Sequence, residues 1–466
     1  MNIKMKKFII LIAMALAMAS CTKNKSEVFP EIPAPADVVM YQINPRNFAE
    51  KNAFIAIKNH VAEIKELGVN VVWFMPICEI GVEKAVKSPY CVKDYTAVNP
   101  EFGTMDDFKS LVEDFHDRGI CVIIDWVANH TSWDNKWIED HPDWYTTDET
   151  GEIIFPEGTG WRDVADLNFD NADMRQAMID AMKFWVEETG VDGFRCDAAD
   201  YVPFDFWEDC VSQLRAIPDR TLLLLAEGQR KDHFTAGFDM NYAWQWLSAL
   251  RRVYNGAQVR LDNPDEGERR RPARTVTRQV PASSLFSADS SEYAGIPEGR
   301  VKLRFITNHD ENAKMSPIRE FFGEDGLMAA FVATAFIHGG VLIYDCQVVG
   351  YPGKIQFFNY AKVDWNSHRE LREEYTKLIE IYKSNSCLRS GDLVPYPDDN
   401  VLMFERKDKA GVVLVLANLR DSQQYISIPE NLRNQEYVNL MTGNRAPLTD
   451  SELLLMPFEY LVLKLS

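Results

Sequence analysis

Short apolar runs alternate with amphipathic segments along most of this chain. The runs have the composition of buried strands, and eight of them predict strands at Val38–Gln42, Val69–Met75, Ile120–Asp125, Gly193–Asp197, Leu222–Glu227, Phe238–Met240, Leu303–Asn308 and Val341–Tyr344. Between them lie segments with helical spacing, such as Phe108, Leu111, Val112 and Phe115 before Gly119. Continuous apolar strands that alternate with amphipathic helices indicate a parallel sheet covered by helices.

Eight strand and helix units predict an α/β fold, a (β/α)8 TIM barrel assigned to residues 36–130 and 171–387. The alternative is an open, doubly wound sheet. That alternative is weakened because no Gly-x-Gly-x-x-Gly turn follows the first strand.

Two regions break the alternation. Residues 131–170 hold four tryptophans with Gly and Pro but no helical period, which predicts a small irregular insertion after strand three. From residue 388 to 466 the chain changes to short β segments separated by Asp, Asn, Gly and Pro. This pattern predicts a C-terminal β-sandwich domain.

The N-terminus has the pattern of an export signal. Three lysines precede the apolar run Phe8–Ala19, which ends in small residues before Cys21. The segment resembles a bacterial lipoprotein signal peptide over residues 1–20, which implies lipid on Cys21 and a linker at 21–35; a short uncleaved anchor is the alternative. Either way we expect membrane attachment of an exported protein, with the periplasmic face of the outer membrane favoured because no acidic cluster follows Cys21.

The charge of the chain restricts its partners. Lys and Arg number 50 against 70 Asp and Glu, a net charge of −20. A nucleic-acid partner is not expected, because binding a phosphate backbone needs a basic surface. The net charge does not exclude a neutral substrate.

Polar residues interrupt the apolar strands at their last positions, where the active site of a barrel enzyme lies. Strand three ends at Asp125, followed by Asn129-His130; strand four ends Arg195-Cys-Asp197; strand five ends at Glu227; strand seven is followed by Asn308-His309-Asp310. Singly, each acid would be explained as a helix cap or a solvated loop residue. Together they predict one carboxylate-rich mouth of the barrel.

Glycoside hydrolysis gives such a cluster a use, because it needs one protonated acid and one ionised carboxylate. Arg195 points to the same face of its strand as Asp197 and could keep that aspartate ionised, which favours Asp197 as nucleophile. Glu227 follows four leucines and an alanine, surroundings expected to desolvate it and raise its pKa. We therefore assign the general acid to Glu227.

These strings, in this order and at these strands, resemble the four signature regions of the α-amylase family of glycoside hydrolases. Asp125-x-x-x-Asn129-His130, Gly193-Phe194-Arg195-x-Asp197, the Glu227 strand end and Phe305-x-x-Asn308-His309-Asp310 carry the resemblance, which extends over nearly the whole mature chain.

The resemblance implies residue roles. Asp197, Glu227 and Asp310 would be the catalytic nucleophile, general acid/base and sugar-binding carboxylate of a retaining double displacement. Substrate contacts or their support are implied for Tyr90, His130, Arg195, His309, Asp125 and Tyr41. No organic cofactor is implied. A Ca²⁺ ion held by Asn129, Asp166 and the carbonyl of Tyr201 is one reading. In the other reading, Asn129 holds no ion and only forms a hydrogen bond with the loop.

The implied function is cleavage of α-1,4-glucosidic bonds in starch-like α-glucans or maltooligosaccharides. An α-glucosidase, a neopullulanase or a glucan-transferring enzyme of the same family is the alternative, because the same residues serve all of them. A catalytically inactive glycan-binding protein is the alternative from another class. It is disfavoured because all three catalytic carboxylates are present.

Overall fold

The computed structural model describes residues 29–261 and 274–466. The predicted signal peptide, the lipidation site Cys21 and most of the predicted linker lie outside the described residues. Within the described part of the chain, no helix is long and apolar enough to cross a membrane.

Eight strands close into a barrel in which each strand runs parallel to its neighbours. In chain order they are β1 (Val39–Ile43), β2 (Val71–Phe74), β3 (Cys121–Trp126), β4 (Gly193–Cys196), β5 (Leu223–Ala226), β6 (Met240–Tyr242), β7 (Val301–Arg304) and β8 (Gly340–Tyr344). They follow one another around the barrel in this order, and β8 closes onto β1. The predicted TIM barrel is confirmed.

Helices connect the strands. The predicted helix before Gly119 spans Met105–His116 and begins with a capping box formed by Thr104 and Asp107. The other helices of the described residues are Ala53–Lys58, Val61–Glu66, Lys136–Asp140, Ala172–Thr189, Phe204–Arg215, Asp232–Ala236, Trp244–Asn255, Ser284–Tyr293, His309–Lys314, Pro317–Glu320, Glu324–Ala335, Arg369–Ser384 and Ser386–Ser390.

The bounds of two strands differ most from the predicted ones. The sixth was predicted at Phe238–Met240 but spans Met240–Tyr242, because Phe238 is held in a turn by a hydrogen bond from its N–H to the carbonyl of His233. The seventh was predicted to reach Asn308 but ends at Arg304. Asn308 instead caps a helix, since its side chain accepts a hydrogen bond from Glu311 N at 2.9 Å.

Side chains alternate between the inside of the barrel and the helix layer. Trp73 of β2, Ile123 of β3 and Leu225 of β5 belong to one buried cluster inside the barrel. Their neighbours Val72, Val122 and Leu224 belong to a larger cluster that includes the helices. In each strand, therefore, every second residue points into the barrel.

The insertion after β3 is irregular, as predicted. Its ends pair as the short strands His130–Ser132 and Val164–Asp166, and between them lie the helix Lys136–Asp140 and a turn of 3-10 helix at Pro142–Trp144. Two further antiparallel pairs lie in barrel loops, one formed by Cys78–Ile80 with Val92–Val98 and the other by Ala257–Leu261 with Arg274–Arg278.

The C-terminal segment forms the predicted β domain. Five antiparallel strands make one sheet and two make another, with a common apolar core between them. In chain order they are β9 (Asp392–Tyr396), β10 (Val401–Asp408), β11 (Gly411–Asn418), β12 (Gln424–Ser427), β13 (Tyr437–Asn439), β14 (Glu452–Leu455) and β15 (Tyr460–Leu465). Strands β12 and β14 form the smaller sheet.

Candidate active site

The alternation of side chains along the strands brings the predicted acids together. Ile123 and Leu225 face the inside of the barrel, so Asp125 and Glu227, two residues further on, face the inside of its mouth. Arg195 of β4 pairs with Asp125 on one side and Leu225 on the other. Neighbouring strands thus bring an arginine and several carboxylates together at the mouth of the barrel.

Arg195 is the centre of this cluster and is completely buried. Its Nη1 donates to Asp125 Oδ1 at 2.7 Å and to Asp197 Oδ1 at 2.8 Å. Its Nη2 lies 3.0 Å from Glu227 Oε2, and its Nε donates to the hydroxyl of Tyr242 at 3.1 Å. One guanidinium therefore serves three carboxylates.

Burial disfavours charge on two of these acids. The side chain of Asp125 has no exposure to solvent, and burial raises its pKa to about 7 in spite of Arg195. Burial likewise raises the pKa of Asp197 well above its ordinary value, against the opposing effect of the Arg195 charge. One cation cannot neutralise all the carboxylates around it, so burial prevails at Asp125 and Asp197.

The surroundings of Glu227 differ from those that the sequence predicts. Its side chain is 19% exposed, against 12% for Asp197, so it is not the most desolvated acid of the group. The leucines before it alternate between the two faces of β5, and at the mouth Glu227 meets polar groups. Its Oε2 accepts a hydrogen bond from Ala198 N at 2.8 Å. Ala198 has a left-handed backbone (φ 45°), a strained conformation next to the predicted nucleophile.

Two histidines and a tyrosine form a second layer. The phenol of Tyr90 lies 2.6 Å from His309 Nε2 and donates to Asp125 Oδ2 at 3.3 Å, and its ring stacks on His309. His130 Nε2 donates to the carbonyl of Tyr90 at 3.2 Å. Burial lowers the pKa of His130 to about 4 and that of His309 to about 3. Both rings are therefore neutral hydrogen-bonding groups near neutral pH.

These groups surround a cleft of about 320 Å³. The residues that line it are Val86, Ser88, Tyr90, His130, Trp161, Asp163, Val164, Asp197, Ala198, Glu227, His309, Asp310, Phe357 and Phe358. Six predicted site residues are among them. Asp125 and Arg195 lie behind this lining, and Arg195 contacts Asp197 and Glu227 from the barrel interior.

Tyr41 does not join the other predicted site residues. It is an outward-facing residue of β1, and its phenol donates to the carbonyl of Asp345 at 3.2 Å. The next residue, Gln42, faces inward, and its amide donates to His309 Nδ1 at 2.6 Å. Strand alternation could have found Gln42, because Val38 and Met40 already face inward.

Sequence reasoning also missed Tyr242 and the pair Phe357 and Phe358. Tyr242 hydrogen-bonds Arg195, but it lies beyond the predicted end of the sixth strand. The two phenylalanines lie in a loop after β8 that has no periodic pattern. Of the tryptophans in the insertion, Trp161 lines the cleft. Trp137 instead packs against Tyr95, with 5.1 Å between ring centroids.

The structure shows the surroundings of the predicted Ca²⁺ ligands. Asn129 and Asp166 flank the paired strands of the insertion, where Asp166 pairs with His130. The Asn129 amide nitrogen lies 3.2 Å from His130 Nδ1, the local contact that the alternative interpretation predicts. Among the described residues, no three His, Cys, Asp or Glu side chains form a metal-binding group. The predicted ligand set, which is Asn129, Asp166 and the carbonyl of Tyr201, would supply three kinds of oxygen donor. A Ca²⁺ ion takes six to eight ligands.

Comparison with known families identifies the class of the protein. The alpha amylase catalytic domain model matches residues 42–390, and the maltogenic amylase C-terminal domain model matches residues 393–462. The chain therefore belongs to the alpha-amylase family of glycoside hydrolases, whose enzymes need no organic cofactor.

Curated relatives cover several activities. Alpha-amylase MalA of Haloarcula japonica is 25% identical over 432 residues, which are 87% of this chain and 59% of that protein. Alpha-amylase 2 of Dictyoglomus thermophilum is 23% identical over 405 residues, 82% of this chain and 65% of that protein. The chain thus spans less than two thirds of the length of either. An oligo-1,6-glucosidase of Parageobacillus thermoglucosidasius is 33% identical over 207 residues, 36% of this chain and 35% of that protein.

Solved structures share the fold along nearly the whole chain. A noncanonic maltogenic alpha-amylase from Thermotoga neapolitana superposes with a TM-score of 0.79 at 24% identity, covering 93% of this chain and 99% of its own. An alpha-amylase from Lactobacillus plantarum gives a TM-score of 0.78 at 24% identity, covering 92% and 99%.

Proposed function

We propose that the protein hydrolyses α-1,4-glucosidic bonds of starch-like glucans or maltooligosaccharides with retention of anomeric configuration. The observation that carries this proposal is the contact of one buried guanidinium, Arg195, with Asp197 and Glu227 at the cleft. It places two carboxylates side by side where a sugar can lie between them, as a double displacement needs.

Asp197 is the nucleophile in this mechanism. The hydrogen bond from Arg195 Nη1 stabilises its ionised form, in which an oxygen attacks the anomeric carbon. The bond to the leaving oxygen breaks as the glycosyl ester of Asp197 forms, and water later hydrolyses that ester.

Glu227 is the general acid and then the general base. Its Oε2 is held by Ala198 N, and its partial exposure to the cleft lets it protonate the leaving oxygen. In the second half it takes a proton from the attacking water.

The remaining groups of the cleft bind and orient the sugar. Asp310 lies beside His309, with Oδ1 3.4 Å from Nε2, and offers a carboxylate to sugar hydroxyls. His130 and His309 are neutral and donate hydrogen bonds. Tyr90 offers an aromatic face to the ring, while Asp125 holds Arg195 from behind.

Product chromatography tests this proposal, with soluble starch, pullulan and maltoheptaose as substrates and Asp197→Asn as the control variant. We expect maltooligosaccharides or glucose from starch and maltoheptaose, and no products from the variant. If the protein turned over none of these glucans, the proposal would be wrong.

A second candidate is hydrolysis of α-1,6 bonds in short oligosaccharides. The 33% identity to an oligo-1,6-glucosidase over 207 residues favours including it. Isomaltose added to the same substrate panel separates the two, because an α-1,6 enzyme would cleave it faster than maltose.

Ca²⁺ binding stays a prediction, and no step of the mechanism uses it. The thermal unfolding midpoint measured with excess EDTA and with excess Ca²⁺ tests it. A bound ion raises the midpoint by mass action, whereas equal midpoints would leave Asn129 with its local contact to His130 alone.

We also propose that the protein is exported and held at the periplasmic face of the outer membrane by lipid on Cys21. The signal-like sequence before Cys21 supports this. Incorporation of labelled fatty acid tests it, with Cys21→Ser as the control, and resistance to protease added to intact cells tests the face. Equal labelling of both forms would contradict lipidation.

A further inference from the structure

A second cavity, of about 550 Å³, has one of its walls in the insertion after β3. It is lined by residues of the insertion helix Lys136–Asp140, of the loop strand Val92–Val98 and of the barrel helix Ala172–Thr189. Among the described residues, this cavity and the cleft have no lining residue in common. Its volume is within the range of about 300–1,000 Å³ for ligand pockets, and the proposed mechanism does not use it.

A half-buried tryptophan, Trp137, lines this cavity and is held in place by several contacts. Its ring stacks on Tyr95 with 5.1 Å between centroids and meets Trp144 edge to face, also at 5.1 Å. The side chain of Asn135 accepts a hydrogen bond from Trp137 N at 2.9 Å. Because these contacts fix the ring before a ligand arrives, binding against it costs little side-chain entropy.

The barrel helix gives the cavity a wall of small and apolar side chains. Ala177, Ala181 and Phe184 line the cavity, and their spacing of four and three residues places them on one face of the helix. The two alanines leave room that larger side chains would fill. Trp137 and this helix face therefore offer apolar surface to one ligand from two different elements.

Carboxylates from all three elements line the same cavity. Asp94, Asp140 and Asp180 are exposed to solvent. Within the described residues, one oxygen of each makes the polar contacts of the side chain, and these oxygens are Asp94 Oδ1, Asp140 Oδ2 and Asp180 Oδ1. The second oxygen of each carboxylate can therefore accept a hydrogen bond from a ligand hydroxyl.

The charges around the cavity nearly cancel. Two lysines, Lys93 and Lys136, line it together with the three aspartates. An ion of either sign would meet groups of its own charge, so the lining favours a neutral ligand. A glucose ring has the matching chemistry, because its C–H groups pack on aromatic and aliphatic side chains while its hydroxyls donate to carboxylates.

We infer that this cavity is a second binding site for α-glucan chains, separate from the cleft. Trp137 carries a glucose ring there, and Asp94, Asp140 and Asp180 accept hydrogen bonds from its hydroxyls. The inference rests on the proposed function, which supplies the ligand. The insertion contributes to both places, since Trp161 lines the cleft and Trp137 lines the cavity. The protein can thus hold a polymer at two points, and linked sites bind more tightly than either site alone.

Titration calorimetry with maltoheptaose tests the inference on the Asp197→Asn protein, which leaves the glucan intact. We expect two molecules bound per protein, and one after Trp137→Ala is added. Trp133→Ala is the matched control and should leave two, because Trp133 belongs to the same insertion but lines neither the cavity nor the cleft. One molecule bound in all three proteins would overturn the inference. Two molecules bound to folded Trp137→Ala would also overturn it, because the second glucan would then lie elsewhere.

A second variant keeps the test decisive if Trp137→Ala does not fold. Ala177→Leu places a good helix former in the space beside Trp137 and should likewise leave one bound molecule. Adsorption to starch granules is the second measurement. The association constant of Asp197→Asn should fall by about tenfold or more with either variant, because attachment at two points is lost. Equal constants with and without Ala177→Leu would overturn the inference.

Turnover of maltoheptaose by the wild-type protein is measured alongside, so that the two proposals can fail separately. Turnover together with a single bound molecule would remove this inference and leave the proposed function standing. A protein that neither binds nor cleaves maltoheptaose would remove the proposed function and the inference with it.

Discussion

Two buried arginines of this barrel each bind more than one carboxylate, and they differ in how well the charges are balanced. Arg195 at the mouth contacts Asp125, Asp197 and Glu227. Arg304 of β7 is equally buried, and it contacts two acids of the helix Ser284–Tyr293. Both clusters are made of the same residue types, so residue type alone does not separate a reactive cluster from a structural one.

Each acid of the Arg304 cluster has partners of its own. Glu292 Oε2 accepts from Arg304 at 2.6 Å, and its Oε1 accepts from the backbone N–H groups of Gln245 and Trp246 at 2.9 and 3.2 Å. Burial acts to raise the pKa of Asp289, but His338 and Arg304 outweigh it and the pKa is lowered. At the mouth, by contrast, burial wins and raises the pKa of Asp125 and Asp197. Incomplete compensation next to a cleft is what marks the reactive cluster.

The largest expected effect distinguishes Glu227 at the mouth from Glu292 in the Arg304 cluster. Glu227→Gln should lower the rate on maltoheptaose by about 10²–10⁴-fold, the range for loss of a general acid. The loss should be much smaller on α-glucosyl fluoride, whose leaving group needs no proton. Steady-state kinetics on both substrates measures this.

Glu292→Gln is the matched change in the Arg304 cluster. It should leave both rates near those of the wild type, because Glu292 is buried in the Arg304 cluster and is not among the residues that line the cleft. An equal loss on maltoheptaose and fluoride for Glu227→Gln would contradict its role as acid.

The sequence predicted the reactive cluster because strand alternation is regular. A polar residue two positions after an inward-facing apolar one has to reach the mouth, and Asp125 and Glu227 both satisfy this. The sequence interpretation of Glu227 does not follow this regularity. It treats all four leucines before Glu227 as the surroundings of its carboxylate, although half of them face the helices.

What the sequence could not predict depends on contacts between distant segments. Phe357 lies in a loop without periodicity, and contacts with distant residues hold it at the cleft, among them the hydrogen bond from Arg46 to its carbonyl. Tyr242 was missed because the sixth strand begins two residues later than its apolar run suggests. The Arg304 cluster gave no signal either, since its acids come from a helix and not from a strand end.

The next largest effect concerns stability. Arg304→Met should lower the free energy of unfolding by about 3–5 kcal/mol, because it leaves two carboxylates buried without their cation. Urea denaturation measures this. The control is Arg369→Met, which removes a solvent-exposed ion pair with Glu373 and should change stability by less than about 0.5 kcal/mol. A loss as small as that of the control would mean that the Arg304 cluster is not needed for stability.

A smaller effect is expected from Asp200, which holds the loop after Glu227. Its carboxylate accepts from Gln229 N at 3.0 Å and from Arg230 N at 3.2 Å. Asp200→Asn should lower kcat by about tenfold with little change in KM, because a looser loop misplaces the acid. Exposed Glu208→Gln serves as the control, and a change in KM alone would rule out the positioning role.

The smallest effect is a pair of opposite pH dependences. The folded pKa of Asp125, about 7, lies above its unfolded value, so its contribution to stability is present in acid and is lost as the pH rises through 7. The pKa of Asp289 is lowered, so its contribution is present at neutral pH and lost as the pH falls. Relative to the wild type, Asp125→Asn should therefore gain stability as the pH rises from about 4 to about 7, by about 1 kcal/mol or more. Asp289→Asn should instead lose stability relative to the wild type as the pH rises to about 4 from below, because both the folded and the unfolded pKa of Asp289 lie at or below about 4. Urea denaturation across these two pH windows measures the two slopes, and slopes of the same sign would show that the two clusters do not differ in charge compensation.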